Sequence, residues 1–259
     1  MIKPICINGH YVGPGHPVYV VAEAGVNHNG DVRTALAMID VAKEAGADAV
    51  KFQLFVPDLM VGRTRENREM LRLLRLDEQY LGYLWNRAVD KEIDFILSVF
   101  DPVSFLMANV WADAIKLAHS EVTNRDLIDH ASKLRSMPLI MSVPIRSKPG
   151  ELCVLDKALE PLRDQNVALL YCVPEYPAKT VNLEWIRSLS GGYGLPVGFS
   201  DHTDCGPEIA AEAVDAGACM LEKHFTIDRT MEGPDQHMSF EPDELRAYIQ
   251  SARGAVCAP

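Results

Sequence analysis

Ala218-Cys219-Met220-Leu221-Glu222-Lys223-His224-Phe225 is the stretch whose reading decides the fold. A short apolar run leads directly into charged and imidazole side chains. A loop dense in carboxylates, Gly and Pro follows, Asp228-Arg229-Thr230-Met231-Glu232-Gly233-Pro234-Asp235. A buried strand that ends in reactive groups and opens into a polar loop is how a parallel barrel presents its chemistry.

Working outward, seven further runs of this kind precede it: Val18 to Glu23, Ala49 to Gln53, Asp94 to Ser98, Ala114 to Leu117, Pro138 to Val143, Val167 to Tyr171 and Val197 to Ser200. Cys219 to His224 is the eighth. Between them, helical patterns cover 31–46, 77–91, 102–110, 123–134, 150–163, 182–190 and 206–216, and Glu241 to Ala252 closes the chain through Pro242. Asp31 is placed to cap the first helix, Ala45-Gly46 to stop it, and Thr123 and Asn124 to open the fourth. Alternating strands and helices with eight units predict an α/β chain closed into a (β/α)8 TIM barrel. An open doubly wound sheet is the structural rival, but Ala24-Gly25-Val26-Asn27-His28-Asn29-Gly30 after the first strand is not GxGxxG.

Ahead of the barrel, Ile5-Cys6-Ile7 and Tyr11-Val12 flank Asn8-Gly9-His10, which predicts a β-hairpin able to plug one barrel end. The expected organisation is a single domain over 1–259, with the hairpin at 1–17 and the barrel at 18–254. Residues 57–76 form a long connection; its Arg63, Arg65, Arg68 and Arg72 read as a solvated or oligomer-facing helix, with a role over the barrel mouth as the lesser alternative.

The composition suits such a fold, with 48% hydrophobic residues and 24% charged. The 25 basic and 36 acidic side chains leave a net charge of −11. That argues against nucleic acid or an anionic membrane as partner, although a local cluster of Lys can still bind a small anion. No apolar run reaches the length of a membrane span, and the N-terminus lacks the core of a signal peptide. Six Cys without a CxxC pair read as reduced core thiols of a cytoplasmic protein.

Closing the barrel makes the eighth strand a neighbour of the first. Glu23, His202 and His224 then lie on three adjacent strand ends, a set that suits a divalent metal such as Mn²⁺, Zn²⁺ or Fe²⁺. Lys51 and Gln53 share one face of the second strand, Lys116 ends the fourth, Ser142 ends the fifth, and Ser200 shares a face with His202. Two Lys and two Ser at the mouth are groups that an anion such as phosphate needs. The plainer alternative is a structural ion pair of a Lys with Glu23 or Glu121. Of Glu222 and Lys223, one faces in and the other out, with Lys223 against the helical layer. Tyr176, after the sixth run, reads equally as a substrate contact or a packed loop aromatic.

These residues carry a family resemblance. Val21-Ala22-Glu23-Ala24-Gly25-Val26-Asn27-His28-Asn29-Gly30-Asp31 resembles the opening motif of N-acetylneuraminate (sialic acid) synthases, and Ala45-Gly46-Ala47-Asp48-Ala49-Val50-Lys51-Phe52-Gln53 continues it. Leu195 to Thr203 and Glu222 to Asp235 resemble the family's motifs on the seventh and eighth strands. The resemblance implies condensation of phosphoenolpyruvate with an open-chain aldose, an N-acyl amino sugar or a related sugar, giving a 2-keto-3-deoxy sugar acid and phosphate. It implies a divalent metal, Mn²⁺ or Mg²⁺, on His202 and His224. Glu23, Lys51, Lys116 and Glu121 would be catalytic, while Gln53, Ser98, Ser142, Tyr176, Ser200 and Asp235 would bind substrate. It also implies a homodimer. The family's C-terminal antifreeze-like domain is expected to be absent. Three positions depart from the family's phosphate-binding pattern: His119, Val143 and Pro174. Two other readings stay open, a metal-dependent 2-keto-acid aldolase or lyase that uses pyruvate, and a non-catalytic sugar-acid-binding relative.

Overall fold

The computed structural model describes residues 2–134, 136–145 and 150–254. The chain opens with β1 (Ile5–Ile7) and β2 (His10–Val12), an antiparallel pair. Asn8 and Gly9 between them have φ of 43° and 91°. A two-residue hairpin turn needs this left-handed pair, and Asn-Gly adopts it at little cost.

Eight parallel strands then alternate with helices: β3 (Tyr19–Gly25), α1 (Val32–Ala45), β4 (Ala49–Leu54), α2 (Arg65–Leu74), α3 (Leu81–Asp90), β5 (Asp94–Val99), α4 (Pro102–Trp111), β6 (Ala114–Leu117), α5 (Arg125–Ala131), β7 (Leu139–Pro144), α6 (Glu151–Leu159), β8 (Val167–Cys172), α7 (Glu184–Tyr193), β9 (Val197–Asp201), α8 (Glu208–Asp215), β10 (Met220–His224) and α9 (Pro242–Gly254). β10 pairs with β3 and closes the ring, so the fold is the expected (β/α)8 barrel. Asp31 caps α1 by accepting from the Arg33 and Thr34 N–H groups, and Gly46 ends it at φ 95°. No helix among the described residues is long and apolar enough to cross a membrane.

Side-chain alternation sorts the strands into two apolar layers. Val20, Ala22, Val50, Leu97 and Ile115 face outward into the core beneath the helices. Tyr19, Val21, Ala49, Ile96, Ile140 and Met220 point inward and fill the lower barrel together with Ile5, Ile7 and Val12 of the hairpin. The hairpin is therefore a plug, as its pattern suggested. Polar contacts seat it: Asn8 Nδ2 donates to Asp94 at 2.9 Å, and His10 Nδ1 lies 2.8 Å from the same carboxylate. Tyr19 adds a 2.6 Å hydrogen bond to it. One step of two residues further up seven of the eight strands, the interior turns polar: Glu23, Lys51, Ser98, Lys116, Ser142, Ser200 and Glu222 are all buried there.

Several boundaries differ from the sequence reading. The helix expected over 123–134 is α5, which begins after Asn124, whose side chain is the cap, and ends at Ala131. The segment expected as one helix over 150–163 breaks at Leu159, and Glu160–Leu162 continues as a 3-10 turn, because Pro161 has no N–H for the α ladder. In the 57–76 connection, Arg65 pairs with Glu69, and Arg72 with Asp58, as a solvated helix would. Arg63 does not belong to that helix and turns to the barrel mouth. Of the six Cys, five are free thiols, but only Cys172 and Cys219 are in the core as expected; Cys6, Cys153 and Cys205 are exposed, and Cys257 lies outside the described residues.

Candidate active site

The C-terminal ends of the strands enclose a cavity of about 350 Å³. Ten of the residues expected at the site line it: Glu23, Lys51, Gln53, Ser98, Lys116, Ser142, Tyr176, His202, His224 and Asp235. Ser200 and Glu121 are not in its wall. Ser200 lies beneath it, with its hydroxyl donating to Glu222 Oε1 at 2.8 Å. Glu121 is buried in the loop after β6, where it accepts from Ser120 Oγ at 2.8 Å and Asn124 Nδ2 at 2.7 Å. Its visible work is to hold that loop, because both its oxygens are already occupied.

The wall also contains Glu222, Arg63, Phe100, Ala118, His119 and Ser120. Glu222 is the main correction to the sequence reading, which set Glu222-Lys223 aside. Period-2 alternation puts Glu222 on the face of His224, and that signal could have found it. Lys223 points outward, where it pairs with Asp201 at 2.9 Å and lies 4.4 Å from the Phe240 ring.

Glu222 organises the floor. Lys116 Nζ is 2.7 Å from one of its oxygens and Lys51 Nζ is 3.4 Å from the other. Lys51 also lies 2.5 Å from Glu23. The ion-pair alternative is thus realised with Glu23, though not with Glu121. Two lysines and the Ser200 hydroxyl surround Glu222, whereas Glu23 has only Lys51 as its ion-pair partner. The two carboxyls are accordingly pushed apart. Burial works to raise both, but beside Glu222 the lysines Lys116 and Lys51 outweigh it and hold that pKa far below the usual carboxylate range. For Glu23, burial prevails over Lys51, and its pKa is raised. Burial also lowers the pKa of Lys116, against the opposing pull of Glu222. One carboxyl therefore stays charged and fixes cations, while the other is suited to carry a proton.

The imidazoles form the opposite wall. His202 Nδ1 lies 2.8 Å from the Val173 carbonyl, which assigns the proton to Nδ1 and leaves Nε2 a lone pair. Nε2 faces Tyr176 Oη at 3.1 Å and Ser200 Oγ at 3.2 Å, and the Tyr176 ring stacks on His202 at 4.1 Å. Burial, then the neighbouring His224, lowers the His202 pKa to about 3. Burial lowers that of His224 to about 4. His224 Nδ1 is buried and without a hydrogen-bond partner among the described residues. An orphaned buried polar atom costs roughly 1–3 kcal/mol unless a ligand takes it.

This arrangement fits a divalent ion held by two neutral imidazoles, with substrate or water in its other positions. It does not fit the three-residue set that strand adjacency suggested. Glu23 turns to Lys51, and no group of three ligating side chains is assembled among the described residues. His119, at one of the three divergent positions, sits 6.3 Å from His202 between ring centroids, the same separation as His202 from His224.

The loop after β3 is tied across the barrel seam. Asn27 Nδ2 donates to the Phe225 carbonyl and to Ser239 Oγ, both at 2.8 Å, and Gln236 Nε2 donates to the Asn27 carbonyl at 2.8 Å. His28 next to it is fully buried, accepts from the Gly30 N–H at 3.0 Å through Nδ1, and has its pKa lowered to about 4 by burial. The folded protein thus keeps His28 neutral, while the unfolded chain protonates it near 6.5. Its contribution is complete above about pH 6.5 and is lost as the pH falls toward 4, worth about 3 kcal/mol in all. Melting temperatures of the metal-free protein should therefore fall more steeply between pH 6.5 and 4 than those of His28→Gln. Parallel slopes would contradict this.

Comparison with known proteins extends the geometry. Residues 38–258 match the NeuB family. The chain is 35% identical to the N,N'-diacetyllegionaminic acid synthase of Legionella pneumophila, over 94% of this chain and 73% of that protein. It is 36% identical to the N,N'-diacetyllegionaminic acid synthase of Campylobacter jejuni, over 90% of this chain and 75% of that one. Among solved structures, the N-acetylneuraminic acid (sialic acid) synthetase of Leptospira borgpetersenii superposes with a TM-score of 0.89 at 32% identity, covering 97% of this chain and 88% of that one.

Proposed function

The chain belongs to the NeuB family of phosphoenolpyruvate-using, C–C-bond-forming transferases, and on that premise we propose that it condenses phosphoenolpyruvate with the open-chain form of an N-acyl amino sugar. The products would be a 2-keto-3-deoxy sugar acid and phosphate. The observation that carries this reading is a single cavity with two buried lysines on its floor and two neutral imidazoles on its wall. Anion-holding groups and carbonyl-polarising groups thus meet across one small space. Two relatives named for a diacetylated sugar acid support an acylated acceptor.

In this reading Lys51 and Lys116, with Ser98 and Ser142, take the phosphate and carboxylate of the donor as preorganised charge-assisted donors. Gln53, Tyr176 and Asp235 orient the acceptor. Ser200 and Glu121 act through others, Ser200 by holding Glu222 and Glu121 by holding the loop of His119 and Ser120. A divalent ion, Mn²⁺ or Mg²⁺, on His202 and His224 would supply Lewis-acid polarisation of the aldehyde oxygen.

C3 of the donor forms the new bond to the aldehyde carbon with the electron pair of its double bond. Glu23, protonated by virtue of its raised pKa, gives its proton to the aldehyde oxygen as this becomes a hydroxyl. Water then adds at C2 and returns a proton to Glu23. The tetrahedral centre collapses to the 2-keto group as its C–O bond to phosphate breaks, phosphate leaves with the electron pair, and the C2 hydroxyl proton passes to the departing phosphate. Glu222 stays ionised throughout and keeps both lysines in place.

The test is phosphate release measured with each component omitted in turn. We expect release only when phosphoenolpyruvate, Mn²⁺ or Mg²⁺, and an N-acyl amino sugar are all present. No phosphate from any aldose, in protein that binds metal, would overturn the proposal.

A further inference from the structure

Resting on that reading, we infer that Arg63 is a specificity-determining residue, whose guanidinium takes an anionic group, phosphate or carboxylate, of one of the two substrates. The floor cations are already matched: Lys51 lies 2.5 Å from Glu23 and 3.4 Å from Glu222, and Lys116 lies 2.7 Å from Glu222. With Glu23 protonated, two lysines against Glu222 leave the floor a single net positive charge. His202 and His224 are the residues assigned to the divalent ion, and Asp235 adds a carboxylate to the wall. A donor bearing both a phosphate and a carboxylate needs more positive charge than this set provides.

Arg63 is the cation of the wall that has no hydrogen-bond or ion-pair partner among the described residues. Its placement is built. Met60 is buried and packs with Val26, Phe55, Leu74 and Phe100. Arg68 donates to the Met60 carbonyl at 3.3 Å, and Arg72 pairs with Asp58, so the chain just before Arg63 is held from both sides. Gly62 at φ 73° then turns the backbone, in open space where only its conformational freedom matters. Arg63 is half-buried at the cavity, whereas its neighbours Val61 and Arg65 are exposed. A guanidinium there can meet a phosphate or carboxylate with two parallel N–H donors, which a lysine cannot do.

The experiment compares wild type, Arg63→Ala and Arg63→Lys. Binding of phosphoenolpyruvate and of inorganic phosphate is read by titration calorimetry, and KM is measured separately for donor and acceptor. We expect Arg63→Ala to weaken one substrate about 10- to 100-fold, Arg63→Lys to recover only part, and the melting temperature to stay unchanged. A loss in donor KM and in phosphoenolpyruvate and phosphate binding identifies the donor as the source of the anion. A loss confined to acceptor KM, and larger for a sugar phosphate than for the neutral sugar, identifies the acceptor. If wild type binds phosphoenolpyruvate, loses it on Arg63→Ala and yet never turns over, the inference stands and the proposed reaction fails. Binding and both KM values within twofold of wild type in Arg63→Ala would overturn the inference.

Discussion

Glu222→Ala should unfold at a lower temperature than wild type, by roughly 6–20 °C, and should lose turnover by at least about a thousandfold. The stability effect follows from burial. Glu222, Lys51 and Lys116 are each at most 4% exposed, and Lys116 has Glu222 as its ionic partner at 2.7 Å. Removing the carboxylate leaves a buried ammonium uncompensated, which costs about 3–5 kcal/mol. The turnover effect follows from position, because the same carboxylate sets where both ammoniums point. Glu222→Gln keeps an acceptor for Ser200 but drops the charge, so it should lie between wild type and Glu222→Ala in stability. Glu23→Gln removes a group that shares only Lys51, so it should cost less stability while still abolishing proton handling. Thermal unfolding of the metal-free variants separates these cases, and an unchanged melting temperature for Glu222→Ala would contradict the charge arrangement.

His202→Ala and His224→Ala should each weaken Mn²⁺ binding at least about 100-fold, with turnover lost in parallel. Their effects on the metal-free protein should differ. His202 is bonded to Val173, stacked by Tyr176 and adjacent to Ser200, so its removal should destabilise by about 1–3 kcal/mol. His224 Nδ1 has no hydrogen-bond partner among the described residues, so its removal should leave stability unchanged or slightly raised. Calorimetric titration with Mn²⁺ and thermal unfolding test both halves. Full metal retention in both variants would remove the imidazole pair as the metal site.

The barrel was legible in the sequence because its signals are local and repeat. Each strand is a short apolar run, each helix an amphipathic one, and Asp31, Gly46 and Asn8-Gly9 act through their own backbone neighbours. Closure then follows from strand count and makes Glu23 a neighbour of His224, as the Glu23 to His224 register confirms. Side-chain commitments were harder to read. Glu23 was legible as a mouth residue, but its turn toward Lys51 rather than toward the imidazoles depends on competing charges that no single motif displays. Glu222 carried a readable signal in its alternation with His224. Arg63 carried none, because its direction is set by Met60 packing into a cluster drawn from three other segments. Glu121 resembles a catalytic position by motif, and only the partners of its two oxygens reveal its place in the loop.

The proposed reaction joins phosphoenolpyruvate to a sugar aldehyde within one cavity. Its most direct test is mass spectrometry of the product formed with Mn²⁺ from an N-acyl amino sugar and phosphoenolpyruvate labelled with ¹⁸O at the bridging oxygen. The expected product is a 2-keto acid longer than the acceptor by the pyruvyl unit, with the label in the released phosphate. An unextended acceptor, label retained in the sugar acid, or equal product from pyruvate in place of phosphoenolpyruvate would contradict it.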